Sequence, residues 1–299
     1  MSSKKHNNSF ETWKVPDNYA KLNALSENNC ISPDLVLIME SKVIPRSLIS
    51  AGRLLMTNEG RIFIITKGTL DVNINLLSFH ATRGHVLVAP IGAIIELKDR
   101  SKDLEYQGFV FRDLPMPESL RNPVLVKTTK WLLERLKGYL HAMLLLTKEQ
   151  SVNNEAVHYL QQAFIADLGV TAERMQKEHL SEQGDYREQY FIRFIHLINE
   201  YGTKEHKISF YAKHLSVSPN RLSAIIKDYS GKTVMQWLNG YLLLKAKVLL
   251  RNREQAVNDI ADTLGFDNQN TFSRFFKREA GMTPTAYRKK SSSTLMVKE

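Results

Sequence analysis

Along residues 268–280 the chain places Gln269, Asn270, Thr271, Arg274 and the pair Lys277-Arg278 among aromatic residues. At 3.6 residues per turn these polar side chains share the exposed face of a helix, while Phe272 and Phe275 or Phe276 turn to the opposite side. Amides of Gln and Asn match the edge of adenine, and an Arg guanidinium matches guanine or a phosphate oxygen. Gln269, Asn270, Thr271 and Arg274 are therefore candidates for base contact, and Lys277 and Arg278 for phosphate contact. A comparable face lies upstream, made of Asn220, Arg221, Ser223, Ala224 and Lys227. There Asn220 and Ser223 can hydrogen-bond bases and Ala224 can touch a thymine methyl. Lys227, Lys232, Arg251, Arg253 and Arg288 complete the candidates for phosphate contact, which lend affinity and salt dependence without specificity. Each face also reads as an ordinary solvated helix surface, and Arg251 and Arg253 also read as cations capping the end of a long helix.

The elements that must hold these residues are well punctuated. Ser218-Pro219 is a cap followed by proline in the first helical position, and the helix it starts ends near Gly231. Ser209 is expected to cap a short helix reaching Leu215, just before it. A long helix is expected over residues 233–252, capped by Thr233 and about 30 Å long at 1.5 Å per residue. A short helix over residues 256–264 stops at Gly265, and the polar helix over residues 268–280 stops at Gly281. Thr283-Pro284 starts a last short helix, and residues 291–299 read as a disordered tail. The pattern of short helix, tight turn and amphipathic helix thus occurs twice, which is the helix-turn-helix layout. The two reading helices begin 49 residues apart, at 219 and 268. The long helix between them is a rod able to set them about one DNA turn apart, ~34 Å.

Charge supports a polyanion partner. Of a net +10, residues 186–299 hold 19 Lys and Arg against 10 Asp and Glu, while residues 1–185 hold 22 against 21. The single cysteine, Cys30, excludes an intrachain disulfide and any multi-cysteine zinc site. It reads as a small buried hydrophobe. No apolar run is long enough to span a bilayer and no signal peptide opens the chain, so a cytoplasmic protein with no membrane partner is expected.

The first part of the chain has a different texture. Residues 1–30 are polar and Asn-rich and read as a loose arm. Short β-branched runs over residues 35–39, 61–66, 70–75, 85–88 and 92–96 alternate with turn signals. Lys67-Gly68 falls between two of them as a hairpin would, and a small barrel or sandwich is expected over residues 31–115. After Pro115 and Pro117 the pattern turns helical through residue 180, with helices at Lys130–Leu146, 155–164 and 171–179 and a linker over 181–186. Leu132, Leu133, Leu136, Leu140, Met143 and Leu144 make an amphipathic stripe. His80 and His85 are five residues apart, no His-x-His occurs, and Glu96 and His141 are not suitably spaced, so no metal or other cofactor is expected. No phosphate loop, zinc-protease helix or serine-nucleophile elbow is present.

The run from Ile260 to Arg288, and within it Ile260-Ala261, Gly265-Phe266, Phe272-Ser273-Arg274, Phe276-Lys277, Gly281, Thr283-Pro284 and Tyr287-Arg288, resembles the signature of AraC/XylS-type transcription regulators. The resemblance covers about 105 residues, taken as a domain over residues 187–290. The part upstream resembles the cupin-like domains of such regulators more loosely. It implies an α+β chain in which a β-barrel or cupin-like domain and a helical segment precede an all-α domain with two helix-turn-helix units. It further implies base contacts at Gln269, Asn270, Thr271 and Arg274, double-stranded DNA and RNA polymerase as partners, and activation of transcription. A small-molecule effector in the β part and a homodimer paired through the helices around Lys130–Leu146 also follow from it, although the same stripe equally suits packing against the β part. The competing reading is a cupin-like enzyme tethered to a DNA-binding module, which metal analysis of the purified protein separates.

Overall fold

In the computed structural model, residues 28–31, 35–41, 54–56, 59–148, 154–181, 185–252 and 255–296 are described. They form two compact units that divide between Gln189 and Tyr190.

The first unit is built on ten antiparallel strands: β1 (Asn29–Ile31), β2 (Val36–Ile38), β3 (Leu54–Met56), β4 (Gly60–Lys67), β5 (Thr69–Ile74), β6 (Leu77–Thr82), β7 (His85–Ala89), β8 (Ile94–Arg100), β9 (Glu105–Phe111) and β10 (Val124–Lys127). They make a six-stranded sheet in the order β1-β2-β9-β4-β7-β10 and a four-stranded sheet in the order β3-β8-β5-β6. The arrangement is cupin-like, but no barrel closes among the described residues: β1 and β10 edge one sheet, and β3 and β6 the other.

Alternation along the strands decides which side chains meet. Ile62, Ile64, Val86, Val88, Phe109 and Phe111 leave one face of the larger sheet and join a core with two helices, α1 (Lys130–Leu146) and α2 (Asn154–Ser181). From the other face Leu87 and Ala89 meet Val72 and Ile74 of the smaller sheet. In α1, Leu132, Leu136, Leu140, Met143 and Leu144 are all buried in the first of these cores. The amphipathic stripe therefore packs within its own unit and is not available to a second subunit. Phe164 of α2 stands edge-on to Phe109, with ring centroids 5.2 Å apart. On the outer side Arg135 and Asp167 pair bidentately, at 2.8 Å for each contact, and tie α1 to α2.

Several expectations are corrected. Of the loose arm, Asn29 and Cys30 lie in strand β1, and Asn29 is buried with its Oδ1 accepting from the backbone of Met39 and Glu40; residues 1–27 lie outside the described residues. Helix does not begin at 116: a 3-10 turn (Glu118–Leu120) and β10 come first. β10 closes onto β7 in register from Val124 with Val88 to Lys127 with His85, a long-range pairing with no local sequence signal. The helices expected over 155–164 and 171–179 are the single helix α2, because Gly169 does not break it. A Cβ at Gly169 would lie 2.7 Å from Pro117 Cγ, so this glycine is where the 3-10 turn approaches the helix, and its carbonyl accepts from Ser119 Oγ. The expected linker is correspondingly shorter, with Ser181 and Tyr186 both helical and residues 182–184 outside the described residues.

The second unit is all helical: α3 (Tyr186–Tyr201), α4 (Ile208–His214), α5 (Pro219–Ser230), α6 (Val234–Leu249), α7 (Val257–Thr263), α8 (Gln269–Ala280) and α9 (Pro284–Met296). Ser218, Thr233 and Asn268 cap α5, α6 and α8 with their side chains, and Thr233 forms a capping box with Gln236. Ser209 is not a cap; α4 starts one residue earlier, after Lys207, without a side-chain bond. The long helix is 16 residues rather than reaching Asn252, hence about 24 Å. The last helix runs to Met296, through most of the expected tail, because no glycine or proline follows Pro284 to stop it. Among the described residues no helix is long and apolar enough to cross a membrane.

Candidate nucleic-acid interface

The two helix-turn-helix units are built from the same backbone bonds. In the first, Leu215 N–H donates to Tyr211 O, Ser216 N–H to Lys213 O and Val217 N–H to Ala212 O. In the second, Leu264 N–H donates to Ile260 O, Gly265 N–H to Asp262 O and Phe266 N–H to Ala261 O. Both turns pass through a left-handed residue, Ser216 at φ 56° and Gly265 at φ 70°. Only the second needs glycine for packing: a Cβ there would sit 2.5 Å from Thr203 O. The second turn is one residue longer, by Asp267, before its cap. From the caps onward the units repeat at a constant offset of 50, with Ser218 matching Asn268, Pro219 matching Gln269 and Gly231 matching Gly281.

This repeat of a whole helix-turn-helix unit is the most informative feature of the site. Leu222, Ile225 and Ile226 of α5 are buried, and so are their counterparts Phe272, Phe275 and Phe276 of α8. The same outward face is left in both helices. Asn220, Arg221, Ala224 and Lys227 are exposed on α5, as are Asn270, Thr271, Arg274 and Lys277, together with Gln269 and Arg278, on α8. Apart from Thr271 and Arg278, these side chains have no hydrogen bond or ion pair among the described residues. The arginines are offset between the units, while Lys227 and Lys277 coincide: Arg274 stands where α5 has Ala224, and Arg221 stands where α8 has Thr271.

Other expected contacts are already engaged. Ser223 Oγ donates to Pro219 O at 2.8 Å, and Thr271 Oγ1 to Asn268 Oδ1 at 3.1 Å. Arg278 donates from Nε to Glu279 Oε1 at 2.8 Å and packs on Phe275. Lys232 stacks over Trp237, 4.8 Å from the ring centroid, and Trp237 Nε1 donates to Ser230 Oγ. Arg251 is half-buried, and Arg253 lies outside the described residues. Arg288 is half-buried and donates from Nε to Leu250 O at 3.2 Å and from Nη2 to Gln255 O at 2.7 Å. Arg288, brought from α9, thus binds backbone carbonyls at and just beyond the end of the long helix.

Three groups that position the site have little local signature. Asn239 Nδ2 donates to Glu279 Oε1 and joins α6 to α8. Tyr241 OH donates to Asn199 O and joins α6 to α3. Lys245, between the two units on α6, is desolvated, which lowers its ammonium to about 8. The alignment of Ser230, Gly231 and Trp237 with Ala280, Gly281 and Tyr287 is the one signal that marks part of this framework in the sequence. Elsewhere, His80 Nδ1 faces Asp71 at 2.6 Å, and His85 Nδ1 accepts from Thr82 N–H in a turn.

Two such units on one intervening helix define a DNA-binding domain of the double helix-turn-helix class. Residues 211–290 match the helix-turn-helix domain family. Over this region the chain is 33% identical, across 81 residues, to the arabinose operon regulatory protein of Escherichia coli K12, covering 27% of this chain and 28% of that protein. It is 41% identical, across 69 residues, to the transcriptional activator RhaR of Yersinia pseudotuberculosis, covering 23% of this chain and 24% of that one. Among solved structures, the C-terminal domain of the response regulator AraT from Geobacillus stearothermophilus is 30% identical over 34% of this chain and 84% of that chain, with a TM-score of 0.33. The C-terminal part of the chain belongs to the AraC type of helix-turn-helix domain. The matches span only 13% and 29% of the length of the first curated relatives, so they speak for this domain alone.

Proposed function

We propose that the chain is a transcription regulator that binds one face of duplex DNA with α5 and α8 in successive major grooves. The observation that carries this is the repeated burial pattern of α5 and α8, which leaves matching polar and cationic faces on two helices joined through α6. In this reading Asn220, Arg221, Ser223 and Ala224 of the first unit and Gln269, Asn270, Thr271 and Arg274 of the second meet base edges. Ser223 and Thr271, whose hydroxyl protons are engaged within their own helices, offer acceptor lone pairs and so favour bases that donate. Lys227, Lys232, Arg251, Arg253, Lys277 and Arg278 neutralise phosphates. Arg288 positions the end of α6 instead. Hydroxyl-radical footprinting on a selected binding site tests the arrangement. Two protected patches about one helical turn apart support it, and a single patch overturns it.

The regulator acts as an activator in contact with RNA polymerase, a reading that rests on the activator named among its relatives. The β unit binds a small effector, and two chains associate as a homodimer. Because the buried stripe of α1 is already in use, the dimer contact is assigned to the outer side of that helix, where Trp131 is 74% and Leu145 56% exposed.

A further inference from the structure

A cavity of about 280 Å³ opens within the first unit, between the ends of β2 and β9 and the N-terminal part of α2. One wall is apolar and includes Phe111; the other carries Glu59, Arg112, Asp113, His158 and Gln161. Gln161 is the telling residue. It is 8% exposed, yet its side-chain amide has no hydrogen bond among the described residues. Its polar atoms keep access to the cavity, where they leave both donors and an acceptor for an occupant.

The charges of the wall narrow the ligand. Arg112 donates from Nε and Nη2 to Glu59 Oε1 at 2.8 and 2.6 Å, so guanidinium and carboxylate neutralise each other. Asp113 stands beside them as a second carboxylate, so the wall is acidic on balance and repels an anion. His158 Nε2 lies 2.8 Å from the Gln162 amide nitrogen, which can only donate. That bond leaves the proton of the neutral ring on Nδ1. The site therefore presents both donors and acceptors, and its excess carboxylate excludes an anionic occupant.

We propose that this cavity binds a small molecule that bears hydroxyl or amide groups and no negative charge. The Gln161 amide both donates to it and accepts from it, His158 Nδ1 donates, and the Asp113 carboxylate accepts. The proposal rests on the reading of the β unit as an effector-binding unit and adds a site and a ligand chemistry to it. Because His158 and Gln161 sit on α2, which continues unbroken to Ser181, an occupant would bear on the helix that precedes the DNA-binding unit in the sequence.

The test is a titration of the isotopically labelled full-length chain, following the side-chain amide signals of Gln161 assigned through bonds. Glycerol and N-methylacetamide serve as neutral probes, and acetate as an anionic one of similar size. Saturable shifts with the neutral probes alone are expected. Saturation-transfer signals from N-methylacetamide should also disappear in Gln161→Leu, or in His158→Phe should the first variant fail to fold. No saturable shift at Gln161, or an equal response to acetate, overturns the proposal. The signal is read without DNA, so its failure is distinguishable from failure of the effector reading. That reading is measured separately, as a change in DNA affinity on adding a probe that saturates the cavity.

Discussion

Arg274 and Lys277 are neighbours on one helix face, yet their roles are separable by measurement. If Arg274 reads a base, Arg274→Ala weakens specific binding by about 1–3 kcal/mol and relaxes the preference at one position of the site. Lys277→Ala, removing a phosphate contact, weakens binding to all sequences alike and lowers the slope of log affinity against log salt by about 1. A competition assay over a salt series distinguishes the two, and loss of preference in the lysine variant would contradict the assignment. Lys245 yields a prediction about stability. Its ammonium titrates at about 8 when folded, against an ordinary 10.5, because burial penalises the charged form. Below about pH 8 the lysine is charged in both states and the penalty is fully present. Between there and 10.5 the folded state releases its proton first, so stability rises with pH across that window. Thermal unfolding of the full chain should show this rise, and Lys245→Met should flatten it. These residues differ in how they could be found. Arg274 and Lys277 are legible because helical periodicity separates them from Phe272 and Phe276. Lys245 is not, since nothing in its local sequence distinguishes a half-buried, desolvated lysine from a solvated one.

At the scale of elements, two glycines make a natural comparison. Gly265 combines a left-handed backbone with a near neighbour at Thr203 O, whereas Gly281, at φ 74°, has open space within 4 Å of where a Cβ would stand. Gly281→Ala is expected to cost about 1–2 kcal/mol from backbone conformation alone. Gly265→Ala must also displace backbone, so it is expected to cost more, with urea unfolding as the measurement. Asn268→Ala removes the cap of α8, at a cost of about 1 kcal/mol. The caps, the glycine stops and the proline start of α5 are readable because each is a local backbone requirement met by one residue type. The strands are readable only where alternation is strong. β9 and β10 escape because they are sustained by partners far along the chain, such as Val126 of β10 opposite Val86. Helix α2 reads as two helices in the sequence because Gly169 resembles a stop signal, when its role is close packing against Pro117.

At the scale of the molecule, the outer side of α1 carries the oligomer prediction. Trp131→Glu should leave the monomer folded, since the side chain is exposed, and should convert a dimer to monomer in sedimentation equilibrium. A wild-type chain that is monomeric at all concentrations would remove that assignment. The amino-acid sequence alone determined that the last third of the chain is a double helix-turn-helix domain and which residues make its two polar faces. Caps, turns and the 3.6-residue period are local rules, and the basic charge of this region follows from composition. Only the tertiary structure decided which of the candidate cations are already engaged, because Arg288 reaches Leu250 O, and Arg278 meets a Glu279 held by Asn239, through contacts that local rules do not contain. It also decided that the leucine stripe of α1 faces its own sheet and that Gln161 is left with an unmatched amide, since burial depends on what the rest of the chain brings to a surface.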